Sequence, residues 1–128
     1  MAFLLDTHTF LWFLSGDKAI PRNVKSKLVD LNEPCFISIA SFWEIAIKQQ
    51  IGKLILDISI GNLFEYAERN LIKVVPITPE HLTVLSKLPL YHGDPFDRLI
   101  IAQTIAEEFT LISKDKGLKR YKIKQVWS

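Results

Sequence analysis

The chain has 128 residues, of which 48% are hydrophobic and 23% are charged, and its formal net charge is +2. This length and composition are typical of one globular domain with a buried core, and they exclude fibrous and intrinsically disordered proteins. No apolar run approaches the roughly 20 residues of a membrane span, and no basic segment precedes the first apolar run, so we expect neither a membrane segment nor a signal peptide. The single cysteine, Cys35, is expected to be a small buried side chain in a reducing, cytoplasmic setting.

Short apolar runs alternate with helical patterns along the chain. Strands are predicted at residues 2–5, 36–39, 73–77, 111–112 and 125–127. Helices are predicted at residues 7–14, 21–31, 41–50, 60–70 and 79–88, and a last helix begins at Pro95 within the segment 92–108. In the helix at 21–31, Val24, Leu28 and Leu31 lie on one face. This alternation predicts a single α/β domain over residues 1–128, a three-layer α/β/α sandwich with a central, mostly parallel sheet.

The stretch from His92 to Glu108 contains the clearest helix start. Pro95 suits the first helical position, Asp94 suits the N-cap, and Asp97 falls in the first turn. Two carboxylates therefore lie at the positive end of the helix dipole. The apolar face is predicted to comprise Ile101, Ala102, Ile105, Ala106 and Phe109.

Further acids lie where predicted strands end. Asp6 closes the first strand, and Asp115 follows the strand at 111–112. Ligands bind beyond the carboxyl ends of parallel strands, so we expect these acids to meet Asp97. Two carboxylates about 4 Å apart repel by about 4 kcal/mol at an effective dielectric near 20, and a hard divalent cation such as Mg²⁺ would relieve this. Each acid also has a simpler interpretation as a helix cap or turn residue.

Two charged features remain open on periodicity alone. A helical wheel for residues 41–50 places Glu44 opposite the apolar side, which indicates a solvated ion pair with Lys48 worth only about 0.3–0.5 kcal/mol. A basic cluster near the carboxyl terminus is either a solvated surface or a track for a phosphate backbone. It comprises Lys114, Lys116, Lys119, Arg120, Lys122 and Lys124.

Four segments carry a resemblance to a known family: LLDTHTFLW at 4–12, SIASFWEIAIKQQIGKL at 38–54, HGDPFDRLIIAQT at 92–104 and LISKD at 111–115. In this order and spacing they resemble a PIN domain of the VapC toxin type, across essentially the whole chain. The resemblance implies four catalytic acids, namely Asp6, Glu44, Asp97 and Asp115. For Glu44 it overrules the helical wheel, since a polar face toward a cleft and one toward water look alike in sequence.

The resemblance implies an endoribonuclease that depends on Mg²⁺ or Mn²⁺, the toxin of a VapBC-type toxin–antitoxin pair. Asp6, Asp97 and Asp115 would bind the metal directly or through water, and a metal-activated water would hydrolyse the RNA. Lys114, Lys116 and Lys119 would hold the RNA backbone. A VapB-like antitoxin and a homodimer are the expected partners. Supporting contacts to the acids are expected from Thr7, Asp94, Arg98 and Ser113.

Two other functions stay open. An aspartyl-phosphate phosphatase or phosphotransferase would use Asp6 as nucleophile, although the segment DTHT lacks the second acid of D-x-D-x-T. A non-catalytic module that binds RNA or protein would use the acids only structurally. His8 and His92 are left outside the catalytic set, and the three tryptophans, Trp12, Trp43 and Trp127, are interpreted as core or interface anchors rather than as base-stacking residues.

Overall fold

A computed structural model describes residues 1–16, 20–30 and 32–127. Its strands are short and close to the predicted positions. They are β1 (Phe3–Leu5), β2 (Cys35–Ser38), β3 (Ile72–Val75), β4 (Thr110–Ile112) and β5 (Gln125–Val126). All four strand pairings are parallel, in the order β3-β2-β1-β4-β5, which confirms the predicted parallel sheet.

The helices cover both faces of this sheet, as predicted. They are α1 (Thr7–Ser15), α2 (Arg22–Val29), α3 (Ile39–Gln50), α4 (Ile60–Arg69), α5 (Pro79–Lys87) and α6 (Pro95–Ala106). Alternate side chains of β1 enter two different cores, since Phe3 and Leu5 pack among residues of α1 to α4 and Leu4 packs with residues of α6. The period of two along a strand places these side chains on opposite faces.

Most boundaries shift by one or two residues from the predicted ones. Val24 and Leu28 of α2 are buried as expected, whereas Leu31 lies outside the described residues. The segment after Asp115, predicted as a turn, is a 3₁₀ helix at Lys116–Tyr121. Cys35 is buried, and burial followed by the charges of Glu33 and Asp30 raises the pKa of its thiol to about 11, as befits an unreactive core residue.

The buried face of α6 differs from its predicted apolar face. Ile105 is 39% exposed, while Gln103 and Thr104 are buried. Thr104 Oγ1 donates to the Ile100 carbonyl at 2.8 Å, and Gln103 Nε2 donates to the Pro76 carbonyl at 3.3 Å. These two polar atoms find partners, whereas Gln103 Oε1 is buried without one among the described residues. A count of apolar residues does not predict the burial of either side chain.

The sheet topology defines the edge at which a site can form. The chain runs from β1 to β2 and β3 on one side and returns to place β4 and β5 on the other. Ligands bind at such a switch point, beyond the carboxyl ends of the strands. Among the described residues, no helix has both the length and the apolar character to cross a bilayer.

Candidate active site

Asp6 follows the last residue of β1, at the switch point of the sheet. Its backbone N–H donates to the Ile112 carbonyl at the end of β4, at 3.1 Å. Its carboxylate caps α1, with Oδ1 accepting from the Thr9 amide at 2.8 Å. The capping interpretation is therefore correct for one oxygen of Asp6, and we find no protein hydrogen bond to Oδ2 within the described part of the chain.

Glu44 lies in the second turn of α3, which begins directly after β2. Only 3% of Glu44 is exposed, so the solvated position read from the helical wheel is wrong. Thr7 Oγ1 donates to Glu44 Oε1 at 2.8 Å, and Lys48 Nζ donates to Glu44 Oε2 at 2.8 Å. The predicted ion pair exists, but it is buried on the acid's side and joined to α1 next to Asp6.

The start of α6 supplies two further acids. Asp94 Oδ1 accepts from the amides of Phe96 and Asp97 at 2.9 and 3.1 Å, which confirms Asp94 as the N-cap. The Asp97 side chain is one third exposed, at 34%. The first turn of α6 therefore leaves the Asp97 carboxylate partly accessible to solvent.

The pKa of Asp97 shows that the acids share one electrostatic environment. Burial, followed by the charges of Asp94, Glu44 and Asp6, raises this pKa from 3.8 to about 6, and the charge of His92 opposes the rise. Acids from the β1 end, from α3 and from the α6 start thus act on one carboxyl group. Perturbed carboxylates of this kind cluster at functional sites.

Lys48 places a fixed positive charge among these acids. Its hydrogen bond to Glu44 raises the pKa of the amine, and the charges of Glu44, Asp94 and Asp97 add to this, against the lowering effect of partial burial. Lys48 therefore lies beside the acidic cluster while 39% of its side chain stays exposed. Its single charge offsets only part of the repulsion among four neighbouring carboxylates.

Asp115 lies on the other side of Asp6. It caps the 3₁₀ helix through an Oδ1 bond from the Gly117 amide at 2.9 Å, and it lines one open pocket together with Asp6 and Lys114. The charge of Asp115 is not among those that raise the pKa of Asp97. Asp6 is therefore the acid common to both halves of the site.

The predicted supporting residues have different roles from one another. Thr7 orients Glu44, as described above. Ser113 Oγ accepts from the Asp115 amide at 3.1 Å, so Ser113 fixes the backbone of Asp115 rather than its carboxylate. The expected pairing of Arg98 with a site acid is wrong, because its guanidinium donates to the Pro89 carbonyl at 2.8 Å and reaches the Tyr121 hydroxyl at 3.4 Å.

His92, left outside the catalytic set on sequence grounds, lies beside Asp97. Its Nε2 lies 3.7 Å from Asp97 Oδ2, and its Nδ1 lies 2.6 Å from the Tyr121 hydroxyl. The only signal in the sequence was its position two residues before the N-cap Asp94. A lone histidine at such a position carries little information, since the contact with Tyr121 spans 29 residues.

The donor chemistry of the site suits a hard divalent cation. Its candidate ligands are all carboxylates, and Mg²⁺ is usually held by one or two carboxylates together with several waters. Within residues 1–16, 20–30 and 32–127, no three His, Cys, Asp or Glu side chains are grouped so as to hold a metal ion unaided. The assignment of Asp6, Asp97 and Asp115 to a metal site stays a prediction, with water expected to supply the remaining ligands.

Comparisons with known proteins agree with this fold. The PIN domain family model matches residues 3–124. Ribonuclease VapC22 of Mycobacterium tuberculosis is 25% identical over 120 residues, which cover 93% of this chain and 91% of that protein.

Two solved structures share the architecture over nearly their full length. One is VapBC2 from Rickettsia felis bound to a DNA fragment from their promoter, with a TM-score of 0.76, 17% identity and 100% of both chains covered. The other is VapBC-1 from nontypeable Haemophilus influenzae, with a TM-score of 0.72, 16% identity, and coverage of 98% of this chain and 97% of that one. Since the family model spans almost the whole sequence, the chain belongs to the PIN domain family.

Proposed function

We propose that this protein is a metal-dependent endoribonuclease and the toxin of a VapBC-type toxin–antitoxin pair. The observation that carries the proposal is the convergence of carboxylates from separate elements on the carboxyl edge of the sheet, where Asp6, Glu44 and Asp94 all raise the pKa of Asp97. The likeness to Ribonuclease VapC22 supports the same activity.

In this proposal Asp6, Asp97 and Asp115 would bind Mg²⁺ or Mn²⁺ directly or through water. A bound divalent ion supplies the positive charge that polarises a phosphoryl oxygen and favours ionisation of the attacking water. Asp97, with a pKa of about 6, is mostly ionised at neutral pH and so is available as a ligand. Glu44 completes the acidic ring, held in place by Thr7 and Lys48.

The substrate is held by the lysines beside the acids. Lys114 borders the pocket that contains Asp6 and Asp115, and it also borders a groove lined by Lys116 and Lys119. These cations would bind successive phosphates of an RNA strand. Hydrolysis breaks the bond between phosphorus and the 3′ oxygen, so the downstream fragment keeps a 5′ phosphate and the upstream fragment ends in a 3′ hydroxyl.

The partners follow from the relatives rather than from the contacts of this chain. The similar structures from Rickettsia felis and Haemophilus influenzae are VapBC complexes. By likeness we propose a VapB-like antitoxin that binds near the acidic cleft, and a homodimer of the chain.

The direct test is incubation of the purified protein with total RNA and Mg²⁺ or Mn²⁺, followed by mapping of the new 5′ ends. We expect cleavage that leaves 5′ phosphates, that stops in EDTA and that is lost in Asp97→Asn. The exposed Asp57→Asn is the matched control, because it makes the same change away from the site. Undiminished cleavage by folded Asp97→Asn protein would contradict the proposal.

A further inference from the structure

An open pocket of about 310 Å³ lies directly beside the candidate metal ligands. Asp6 and Asp115 form its acidic side, and His8, Trp12 and Lys114 form the rest. The acids belong to the proposed catalytic site, but the aromatic side of the pocket, formed by His8 and Trp12, has no role in that proposal. An aromatic wall next to a reacting phosphate is suited to a flat ring of the substrate.

The aromatic side belongs to a cluster in which α1 contacts the residue that follows β5. The Trp12 ring lies 5.8 Å from the His8 ring and 5.7 Å from the Trp127 ring, measured between centroids. Trp12 is half-buried against the core formed by α1 to α4. A stacking surface held by packing in this way loses little freedom when it binds a ring.

Positive charge continues from this cluster along the surface. Lys114 Nζ lies 5.9 Å from the Trp12 ring centroid. The same lysine lines the neighbouring groove of about 490 Å³, together with Lys116, Lys119 and Trp127. A ligand that carries both phosphates and flat rings, such as a nucleic acid strand, suits the pocket and the groove together.

The strand must be single. In a duplex the faces of the bases are stacked on one another, whereas an unpaired base offers its face to an aromatic side chain. We propose that Trp12, supported by His8 and Trp127, stacks on one unpaired base of a single-stranded RNA, adjacent to the phosphate that a cation bound at Asp6 and Asp115 would hold. The inference rests on the proposed ribonuclease function and assigns its substrate a single-stranded segment with one base in a fixed place.

The test measures the affinity of a fluorescein-labelled single-stranded RNA decamer in EDTA, where the strand stays intact. A set of decamers carries one abasic ribose at each position in turn. We expect one abasic position to raise the Kd of the wild-type protein by about five- to hundredfold, the range for loss of one base–aromatic stack. Trp12→Leu, which keeps apolar volume against the core, should raise the Kd of the intact decamer by a similar factor.

The effects of the abasic position and of Trp12→Leu on the Kd should not be additive. In Trp12→Leu, the sensitive abasic position should no longer matter, because its partner is already missing. Trp43→Leu is the matched control, an exposed tryptophan outside this pocket, and should leave the Kd within about twofold. Thermal unfolding of each variant checks that the fold is kept.

The inference is overturned if no abasic position weakens wild-type binding, or if the abasic and Trp12→Leu effects are additive. Either result leaves the proposed ribonuclease intact, because RNA cleavage by the wild-type protein is measured separately with Mn²⁺. If the aromatic side of the pocket instead binds a protein partner, no abasic position should weaken RNA binding by the wild-type protein.

Discussion

His92 Nε2 lies 3.7 Å from Asp97 Oδ2, and this contact joins the segment before α6 to the acid at the centre of the site. The His92 ring is held from its other side by the Tyr121 hydroxyl, 2.6 Å from Nδ1. Within the described chain, Nε2 is buried without a hydrogen-bond partner. His92 therefore acts on Asp97 through charge and position rather than through a short hydrogen bond.

Replacement of His92 should change the ionisation of Asp97. The His92 charge lowers the pKa of Asp97 and opposes burial and the neighbouring acids. We therefore expect His92→Phe to raise the pKa of Asp97 above about 6, as followed by carboxyl carbon NMR across a pH titration. A pKa that stays the same or falls would show that the histidine does not act on this carboxyl group.

Asp97 should make the protein less stable at neutral pH. Its pKa is 3.8 in an unfolded chain and about 6 in the fold, so the folded state binds the extra proton between these values. Stability from this group is therefore fully present below pH 3.8 and is lost as the pH rises through about 6. Because a third of the side chain is exposed, solvent screening reduces this loss of stability to about 1 kcal/mol.

Asp97→Asn removes this cost and should raise the free energy of unfolding at pH 7 by about 1 kcal/mol, measured by urea denaturation. At pH 4 the variant and the wild-type protein should differ much less. Such a loss of stability is expected where acids are held close together for function. Equal stability of the two proteins at pH 7 would contradict the raised pKa.

Replacement of Lys48 should lower the stability of the protein more than replacement of Glu44. Lys48→Met leaves a carboxylate that is 4% exposed without its cation, whereas Glu44→Gln leaves an amine that is 39% exposed and free to turn to water. We expect Lys48→Met to lower the free energy of unfolding by about 1–2 kcal/mol and Glu44→Gln to lower it by less. If Glu44→Gln is the more damaging change, the burial of this pair has been misassigned.

The sequence predicts the acids at strand ends and at a helix start better than the acid within a helix. Asp6 and Asp115 follow from the rule that parallel strands share a carboxyl edge, and Asp94 and Asp97 follow from the helix start at Pro95. Glu44 could not be placed in this way, because periodicity identifies a polar face without saying what it faces. Only the resemblance to the PIN family indicated the site, and the contact with Thr7 supplies the physical reason.

Long-range polar contacts account for most of what the sequence left open. Arg98 bonds to the carbonyl of Pro89, and His92 meets Tyr121, neither of which follows a helical or strand period. Gln103 is buried with its amide donating to the Pro76 carbonyl, while the apolar Ile105 is exposed. Patterns of apolar residues predict which elements form, but partners distant in the chain decide which polar side chains are buried.

The lysines of the groove should contribute to RNA affinity through counterion release. We expect Lys116→Ala and Lys119→Ala each to weaken binding of a single-stranded RNA and to reduce the slope of log K against log salt by about 0.7. Lys53→Ala, an exposed lysine elsewhere, is the control and should leave the slope unchanged. Unchanged slopes in the groove variants would place the RNA backbone on another surface.

The central claim is that carboxylates from separate elements meet to hold one divalent cation, and titration of Mn²⁺ into the protein by calorimetry tests it most directly. We predict one site per chain in the wild-type protein and in Asp57→Asn, with affinity at least about tenfold weaker in Asp6→Asn and in Asp97→Asn. A wild-type titration without heat of binding, or equal affinity in Asp97→Asn, would contradict the account.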